Sequence, residues 1–348
     1  MFIRRYKCRQ LFTPCSIMTC AGILYFLCCL KHSVNKCSVV DSNDNQESET
    51  DARMMQDFAD NSHPSFCTNS PMMHSNSYLI NCSNVAELKI GRKLGSGVSK
   101  EAFLATFRGV NVVVKMVAPN VRDVTQCERH KGKDCTVFPN MKLMKEILML
   151  QQLKHPGIMF LLGFCVRNEN TPHDTDPVKH GVIAVYEYAS RYNYKSKDWK
   201  LHLQTAYQLA DLLDYLEHSP LGSLIIGDFK SDHFMHVNGQ IKISDYDDIN
   251  NMEPDCAMVG ENGENGQSGC KFDLGCVGGK CVGYNAMRNM DDARKKLLPT
   301  LLRCKAGCGG LEEDVRKLNE MVKEKRHLPA NELKQALGKL LNKITETM

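Results

Sequence analysis

Two aspartates and a lysine lie close to a predicted β-hairpin, and these residue types could assist chemistry on a phosphate. Phe234–Val237 and Gln240–Ser244 are two β-rich runs separated by an Asn-Gly pair. This pair predicts a two-residue hairpin turn, because both turn residues need positive φ. Asp228 and Lys230 precede the first strand, and Asp245 follows the second. This arrangement favours metal-assisted phosphate chemistry, whereas acids that only cap the strands would have no such role.

Two short motifs around the hairpin resemble the catalytic motifs of protein kinases. Asp228-Phe229-Lys230 resembles the Asp-Leu-Lys of a kinase catalytic loop, and Asp245-Tyr246-Asp247 resembles the metal-binding Asp-Phe-Gly. The first aspartates of the two motifs are 17 positions apart in the chain, close to the separation in kinases. The resemblance implies a bilobal α+β protein-kinase-like fold that uses ATP with Mg²⁺ or Mn²⁺.

Three departures from the usual kinase motifs narrow this resemblance. Ile226-Gly227 replaces the His-Arg before the catalytic aspartate, His233 replaces an asparagine, and Asp247 replaces the glycine. Together with the sequence HSPLGS at 218–223, they resemble the vertebrate lonesome kinase family of secreted tyrosine kinases. The match runs from about 88 to 294. It implies a tyrosine acceptor on secreted or luminal proteins.

The same resemblance implies a role for each polar residue of the hairpin region. Asp228 would accept the proton of the acceptor hydroxyl, and Lys230 would neutralise charge on the transferred phosphoryl group. Asp245 would bind the metal ion. His233 stands where a second metal ligand normally lies, and imidazole suits transition metals better than Mg²⁺.

A glycine-containing loop earlier in the chain predicts contact with nucleotide phosphates. Leu88–Leu94 and Glu101–Phe107 are predicted strands, and Gly95, Gly97 and Lys100 lie between them. Glycines there let the backbone approach a phosphate closely, although two glycines also suit an ordinary turn. Lys100 stands where kinases usually have a third glycine.

A lysine and a glutamate are candidates for a nucleotide-anchoring ion pair. Lys115 lies in the predicted strand Asn111–Val117, where burial without a partner would be costly. Glu146 lies in the predicted helix Met141–Leu153 and resembles the glutamate that pairs with this lysine in kinases. An exposed edge-strand lysine and a solvated glutamate are the alternatives.

A predicted buried strand, Val182–Tyr186, precedes the segment expected to bind adenine. Glu187 and Tyr188 fall where a kinase hinge holds adenine through backbone groups, so this assignment rests on position alone.

The rest of the predicted domain is mainly helical, with a cysteine-rich stretch at 256–281 where kinases have their activation segment. The spacing of its cysteines favours disulfides over a zinc site. Apolar periodicity predicts four helices, at Trp199–His218, Asn285–Leu298, Leu311–Lys325 and Asn331–Ile344.

Composition favours an oxidising compartment and does not indicate a nucleic-acid-binding surface. The net charge of +4 among 348 residues is small, and part of it lies near the N-terminus. Of the 17 cysteines, an even number follow residue 31, which indicates disulfides. The sequence does not give their pairing, although Cys127 and Cys135 are close enough to pair locally. Cys304 and Cys308 are predicted to pair with each other or with the cysteines of the stretch at 256–281.

The N-terminal segment predicts entry into the secretory pathway. Residues 1–31 combine a basic flank with 20 uncharged residues, Leu11–Leu30, which favours a signal anchor with a luminal C-terminal side. A cleaved signal peptide is the alternative. Residues 32–84 are polar and predict a disordered stem. Asn81 in Asn-Cys-Ser is a glycosylation sequon if the stem is luminal.

The predicted kinase-like domain covers 85–348, with an N-lobe at about 85–189 and a C-lobe at about 190–348. We expect a protein of the Golgi or secretory-pathway lumen, membrane-anchored or secreted. Two other functions remain open. A luminal pseudokinase would keep the fold as a binding module, and a kinase of a sugar hydroxyl would use the same nucleotide site with a different acceptor pocket.

Overall fold

The computed structural model describes residues 78–167, 181–256, 270–304, 307–325 and 327–346. The predicted anchor at 1–31, most of the predicted stem, and part of the cysteine-rich stretch lie outside the described residues. Within the described residues, every helix is too short or too polar to span a membrane.

A five-stranded antiparallel sheet forms the first half of the described chain. Its strands are β1 (Lys89–Ser96), β2 (Glu101–Phe107), β3 (Val110–Met116), β4 (Leu161–Arg167) and β5 (Gly181–Glu187). They lie in the order β1-β2-β3-β5-β4, so β3 is the central strand. Val112 and Val114 alternate along β3 and are both buried, as the period-two pattern of a half-buried strand requires.

Two helices accompany this sheet, α1 (Arg122–Arg129) and α2 (Val137–Gln152). The sequence did not predict α1, because its only buried residue is Val124 and it has no apolar stripe. It packs through Val124 onto a small apolar cluster and is tied by the Cys127–Cys135 disulfide. Helix α2 begins before the predicted Met141, since Pro139 is tolerated in a first helical turn.

Helices dominate the second half of the chain. They are α3 (Trp199–Glu217), α4 (Tyr284–Lys296), α5 (Leu298–Leu301), α6 (Glu312–Glu324) and α7 (Ala330–Glu346). Helix α3 contacts α4, α5 and α7, and its buried leucines make it the centre of this half. The short helix α5 begins at Leu298 with Pro299 in its first turn, and α4 ends at Lys296, two residues before the predicted end at Leu298.

Short strands lie in the loops before and between these helices. They are β6 (Ser190–Arg191), β7 (Ile225–Ile226), β8 (Phe234–Val237), β9 (Gln240–Ile243), β10 (Ile249–Asn250), β11 (Cys276–Val277) and β12 (Lys280–Cys281). Strands β8 and β9 form the predicted hairpin, and the turn residues Asn238 and Gly239 have φ of 46° and 82°. The β-rich first half and helical second half confirm the bilobal, kinase-like α+β fold.

Every cysteine in the described part of the chain forms a disulfide. The pairs are Cys82–Cys165, Cys127–Cys135, Cys256–Cys276, Cys270–Cys281 and Cys304–Cys308. The prediction of disulfides is therefore confirmed. The structure adds a long-range bridge that joins the start of the domain to β4.

Candidate active site

Two buried asparagines on α4 hold the strand that leads into the loop with Asp228. The backbone N–H of Ile226 donates to Oδ1 of Asn289 (2.9 Å), and Nδ2 of Asn289 donates to the carbonyl of Leu224 (2.8 Å). One turn earlier, Nδ2 of Asn285 donates to the carbonyl of Ser223 (2.9 Å). Sequence reasoning assigned neither asparagine a role in the site. The available signal was two amides four residues apart on a predicted helix.

Close backbone packing accounts for Gly227, where kinases have arginine. Strand β7 pairs with β10, and the N–H of Gly227 donates to the carbonyl of Asp248 (3.0 Å). A Cβ at position 227 would lie 2.7 Å from that oxygen, so a side chain here would force the two backbones apart.

Asp228 contacts Lys230 and His233 at the open side of the site. Nζ of Lys230 lies 2.6 Å from Oδ2 of Asp228, and both side chains are partly exposed. Nδ1 of His233 lies 3.0 Å from the backbone carbonyl of Asp228. Its Nε2 then faces two carboxylates, 3.9 Å from Asp228 and 3.6 Å from Asp245. The structure therefore brings these four predicted site residues together.

Lys115 and Glu146 form a buried ion pair at the centre of the site. Nζ of Lys115 lies 2.6 Å from Oε1 of Glu146 and also donates to the carbonyl of Ser244 (2.5 Å). The ammonium lies 4.6 Å from the centre of the Tyr186 ring, which is itself buried. Since Ser244 precedes Asp245 in the chain, this lysine links α2 to the predicted metal-binding acid.

Lys100 reaches from the glycine-containing loop into the same centre. Its Nζ lies 2.7 Å from Oε2 of Glu146 and 3.3 Å from Oδ1 of Asp245. It also contacts Oδ1 of Asp247, and Lys145 donates to the backbone carbonyl of Asp247 (2.9 Å). Lys100 is only 7% exposed, so it is part of the interior of the site rather than its rim.

The charges of this cluster shift one another's pKa values. Burial alone would lower the pKa of Lys100, but the carboxylates of Glu146, Asp247 and Asp245 outweigh burial and raise it. Burial would raise the pKa of Glu146 and of Asp245, but the ammonium groups of Lys100 and Lys115 hold both below their ordinary values. Burial and the neighbouring acids raise the pKa of Asp247, which Lys100 offsets only in part.

Tyr246 fixes the segment that carries Asp245. Its side chain is fully buried, and its hydroxyl donates to the carbonyl of Ile243 (2.8 Å). The same hydroxyl accepts a hydrogen bond from the N–H of Met159 (3.0 Å). The phenylalanine found in most kinases lacks this hydroxyl and could make neither bond.

The glycine-containing loop is fastened to α1 and α2. Oγ of Ser99 donates to Oδ2 of Asp123 (2.7 Å), and Nζ of Lys142 lies 2.8 Å from the same oxygen. Around Gly95 there is no atom within 4 Å of a Cβ position, so this side of the loop leaves space for a ligand. Gly97 N–H donates to the carbonyl of Lys100 (2.8 Å) and closes the turn.

Glu187 and Tyr188 lie at the end of β5, where the hinge was predicted. The carboxylate of Glu187 is 2.6 Å from Nζ of Lys242 and accepts a hydrogen bond from the N–H of Phe160 (2.7 Å). The side chain of Glu187 is thus engaged in structural contacts, and Tyr188 is 41% exposed. The remaining predicted site residue, Asn81, lies apart on an exposed turn next to the Cys82–Cys165 disulfide.

The bilobal fold, the lysine–glutamate pair and the two aspartates beside the hairpin define a protein-kinase-like molecule. No protein-family profile matches the chain. Over 234 residues it is 28% identical to the human extracellular tyrosine-protein kinase PKDCC, and the alignment covers 64% of this chain and 45% of that protein. The predicted resemblance to an extracellular tyrosine kinase is confirmed.

More distant similarity extends to plant kinases. The chain is 26% identical over 116 residues to the receptor-like kinase LIP1 of Arabidopsis thaliana, covering 33% of this chain and 18% of LIP1. It is 25% identical over 142 residues to LIP2 of the same plant, covering 41% of this chain and 23% of LIP2. The chain thus spans less than half the length of these relatives. Together the comparisons support phosphoryl transfer as the general chemistry.

Proposed function

We propose that this protein transfers the γ-phosphoryl group of ATP to a tyrosine hydroxyl of secreted or luminal proteins. The observation that carries the proposal is the hydrogen bond from Lys115 to the carbonyl of Ser244. Through it, the Lys115–Glu146 pair and Asp245 hold fixed positions relative to each other, as phosphate anchoring and metal binding require. The tyrosine acceptor is supported by the similarity to a human extracellular tyrosine-protein kinase. The compartment is supported by the disulfides.

Lys115, Asp228 and Lys230 each have one role in the proposed reaction. Lys115 contacts the α- and β-phosphates and is oriented by Glu146. Asp228 accepts the proton of the acceptor hydroxyl. The hydroxyl oxygen bonds to the γ-phosphorus while the bond between that phosphorus and the ADP oxygen breaks. Lys230 neutralises negative charge on the transferred group. Gly95 and Gly97 leave room for the phosphates, and the backbone at Glu187 and Tyr188 holds adenine.

His233 and Asp245 fit a divalent metal ion. Their nearest ligand atoms are 3.6 Å apart, and two ligands at 2.0–2.2 Å from one ion lie about 3–4.4 Å apart. Nδ1 of His233 faces the carbonyl of Asp228, so a proton on that nitrogen leaves Nε2 free to bind metal. The imidazole favours Mn²⁺ over Mg²⁺. A bound ion would neutralise phosphate charge.

Substituting the two acids separately tests whether the protein is an enzyme. Asp245→Asn should abolish metal-dependent nucleotide binding and transfer together. Asp228→Asn should keep ATP affinity and lower the transfer rate by about 10² to 10⁴, the usual contribution of a positioned general base. The measurements are calorimetry with ATP and transfer of labelled phosphate with Mn²⁺ or Mg²⁺.

The exposed Asp232, the residue directly before His233, provides the matched control. Asp232→Asn should transfer phosphate at the wild-type rate. Peptides with tyrosine or serine, and glycans, serve as acceptors in the same assay. Transfer only to glycans would favour a sugar kinase. Background-level transfer by both wild type and folded, ATP-bound Asp228→Asn would favour the pseudokinase, whereas equal transfer above background would contradict the role of Asp228 as the base.

A further inference from the structure

The ammonium of Lys100 has a full set of acidic partners. A protonated lysine has three N–H donors, and Lys100 contacts one carboxylate oxygen each of Glu146, Asp245 and Asp247. The side chain is 8% exposed, so water contributes little to its solvation. Lys100 therefore neutralises much of the charge of three clustered acids.

The oxygens that surround Lys100 are spaced as metal ligands are. Glu146, Asp245 and Asp247 each offer a carboxylate oxygen, and these atoms lie within 4.8 Å of one another. An ammonium and a divalent cation cannot both occupy one set of oxygens, because their charges repel at such short range. A metal ion that uses Oδ1 of Asp245 must therefore displace Lys100. An ion held by His233 and Oδ2 of Asp245 binds the other oxygen of the same carboxylate, where the ammonium still repels it.

Once displaced from the carboxylates, the ammonium of Lys100 has a second anionic partner within reach because of where this residue lies in the chain. Lys100 ends the glycine-containing loop and directly precedes β2. Ser99, its neighbour, is fixed to Asp123 of α1, so the loop stays above the site while the lysine side chain exchanges partners. Nucleotide phosphates under this loop would offer the ammonium new anionic oxygens in place of the carboxylates.

We propose that Lys100 is an internal counter-cation that couples metal binding to nucleotide binding. Without nucleotide, it occupies the acid cluster and keeps metal affinity low. With nucleotide, it moves to the phosphates and releases Asp245 for the metal, so each ligand favours the other. The inference rests on the proposed function only for the assignment of Asp245 as a metal ligand.

Mn²⁺ binding to the nucleotide-free protein tests this coupling without any phosphoryl transfer. Lys100→Met should bind Mn²⁺ about 10- to 100-fold more tightly than wild type in calorimetry, because a repelling charge is gone. A non-hydrolysable ATP analogue should raise Mn²⁺ affinity less in this variant than in wild type. Lys89→Met is the control, since Lys89 is an exposed lysine of β1, and it should match wild type.

Amine labelling of the wild-type chain, read by mass spectrometry, gives a second test if Lys100→Met fails to fold. Lys100 should react slowly alone and several-fold faster once Mn²⁺ has bound without nucleotide, while Lys89 reacts equally in both states. Equal or weaker Mn²⁺ affinity in folded Lys100→Met would overturn the proposal. So would continued protection of Lys100 after Mn²⁺ binds. A chain that couples Mn²⁺ to nucleotide through Lys100 but transfers no phosphate would refute only the proposed function.

Discussion

Glu146 is the residue on which both lysines of the site depend. One oxygen pairs with Lys115 at 2.6 Å and the other with Lys100 at 2.7 Å, and the side chain is fully buried. A buried carboxylate with one cation would already be a costly pair to separate. Because it pairs with two cations, Glu146 joins the central strand β3 and the glycine-containing loop to α2.

Substituting Lys115 and Glu146 separately should distinguish the residue that contacts the nucleotide from the residue that orients it. Lys115→Met should weaken ATP binding strongly, because the phosphates lose their cation. Glu146→Gln should weaken it less, because Lys115 keeps its charge and loses only orientation. Isothermal titration calorimetry at pH 7 measures both, and normal ATP affinity in both variants would contradict the assignment of the N-lobe site.

The control for these variants is the pH dependence of unfolding. The pKa of Glu146 in the folded protein lies below its ordinary value of 4.5, so the ion pairs stabilise the fold above that pH. This stability is lost as the pH falls through the lowered pKa. Glu146→Gln should show a flatter fall in unfolding free energy below about pH 4.5. At neutral pH, leaving a buried lysine unpaired costs about 3–5 kcal/mol.

Among the structural elements, sequence pattern predicted those with strong periodicity or a specific turn. The Asn238-Gly239 hairpin, the strand Glu101–Phe107 and helix α3 all lie where the sequence placed them. Helix α1 was missed because a disulfide and one buried valine, rather than an apolar face, stabilise it. The partners of Lys100 were also unpredictable, since they lie more than 40 residues away in sequence and depend on how the loop folds inward.

Tyr246 should stabilise the element that positions Asp245. Tyr246→Phe keeps the buried ring but leaves the N–H of Met159 without its acceptor, which typically costs about 1–3 kcal/mol. Urea unfolding should therefore show a lower midpoint with an unchanged slope. Tyr188→Phe, at an exposed tyrosine, should stay within about 0.5 kcal/mol of wild type. Equal stability of the two variants would show that the hydroxyl contributes little.

At the scale of the whole molecule, composition predicted the presence of disulfides but not their pairing. Pairing depends on which cysteines the fold brings within about 4.4–6.8 Å between Cα atoms. Cys82 and Cys165 are 83 residues apart in sequence, yet their Cα atoms are 4.8 Å apart because Ile80 pairs with β4. Only the local pairs, such as Cys127–Cys135, were predictable from spacing.

Expression in secretory cells tests the proposed compartment. Asn81 lies on an exposed turn where Ser83 donates to its Oδ1 (2.6 Å). We expect a glycosidase to lower the mass of the wild-type chain, and Asn81→Gln or Ser83→Ala to remove that change. Mass spectrometry after alkylation without reduction should leave the ten disulfide cysteines unmodified. A cytosolic product with all thiols alkylated would contradict the proposal.

The two disulfides that follow the Asp-Tyr-Asp motif are interlaced. Cys256 pairs with Cys276, and Cys270 pairs with Cys281, so each bridge spans one end of the other. A protease that cuts once anywhere between Cys256 and Cys281 therefore leaves the two pieces covalently joined. Such a nicked molecule would run as a single band on a non-reducing gel and as two fragments after reduction. The segment can thus be cleaved without separating the two parts of the C-lobe that flank it.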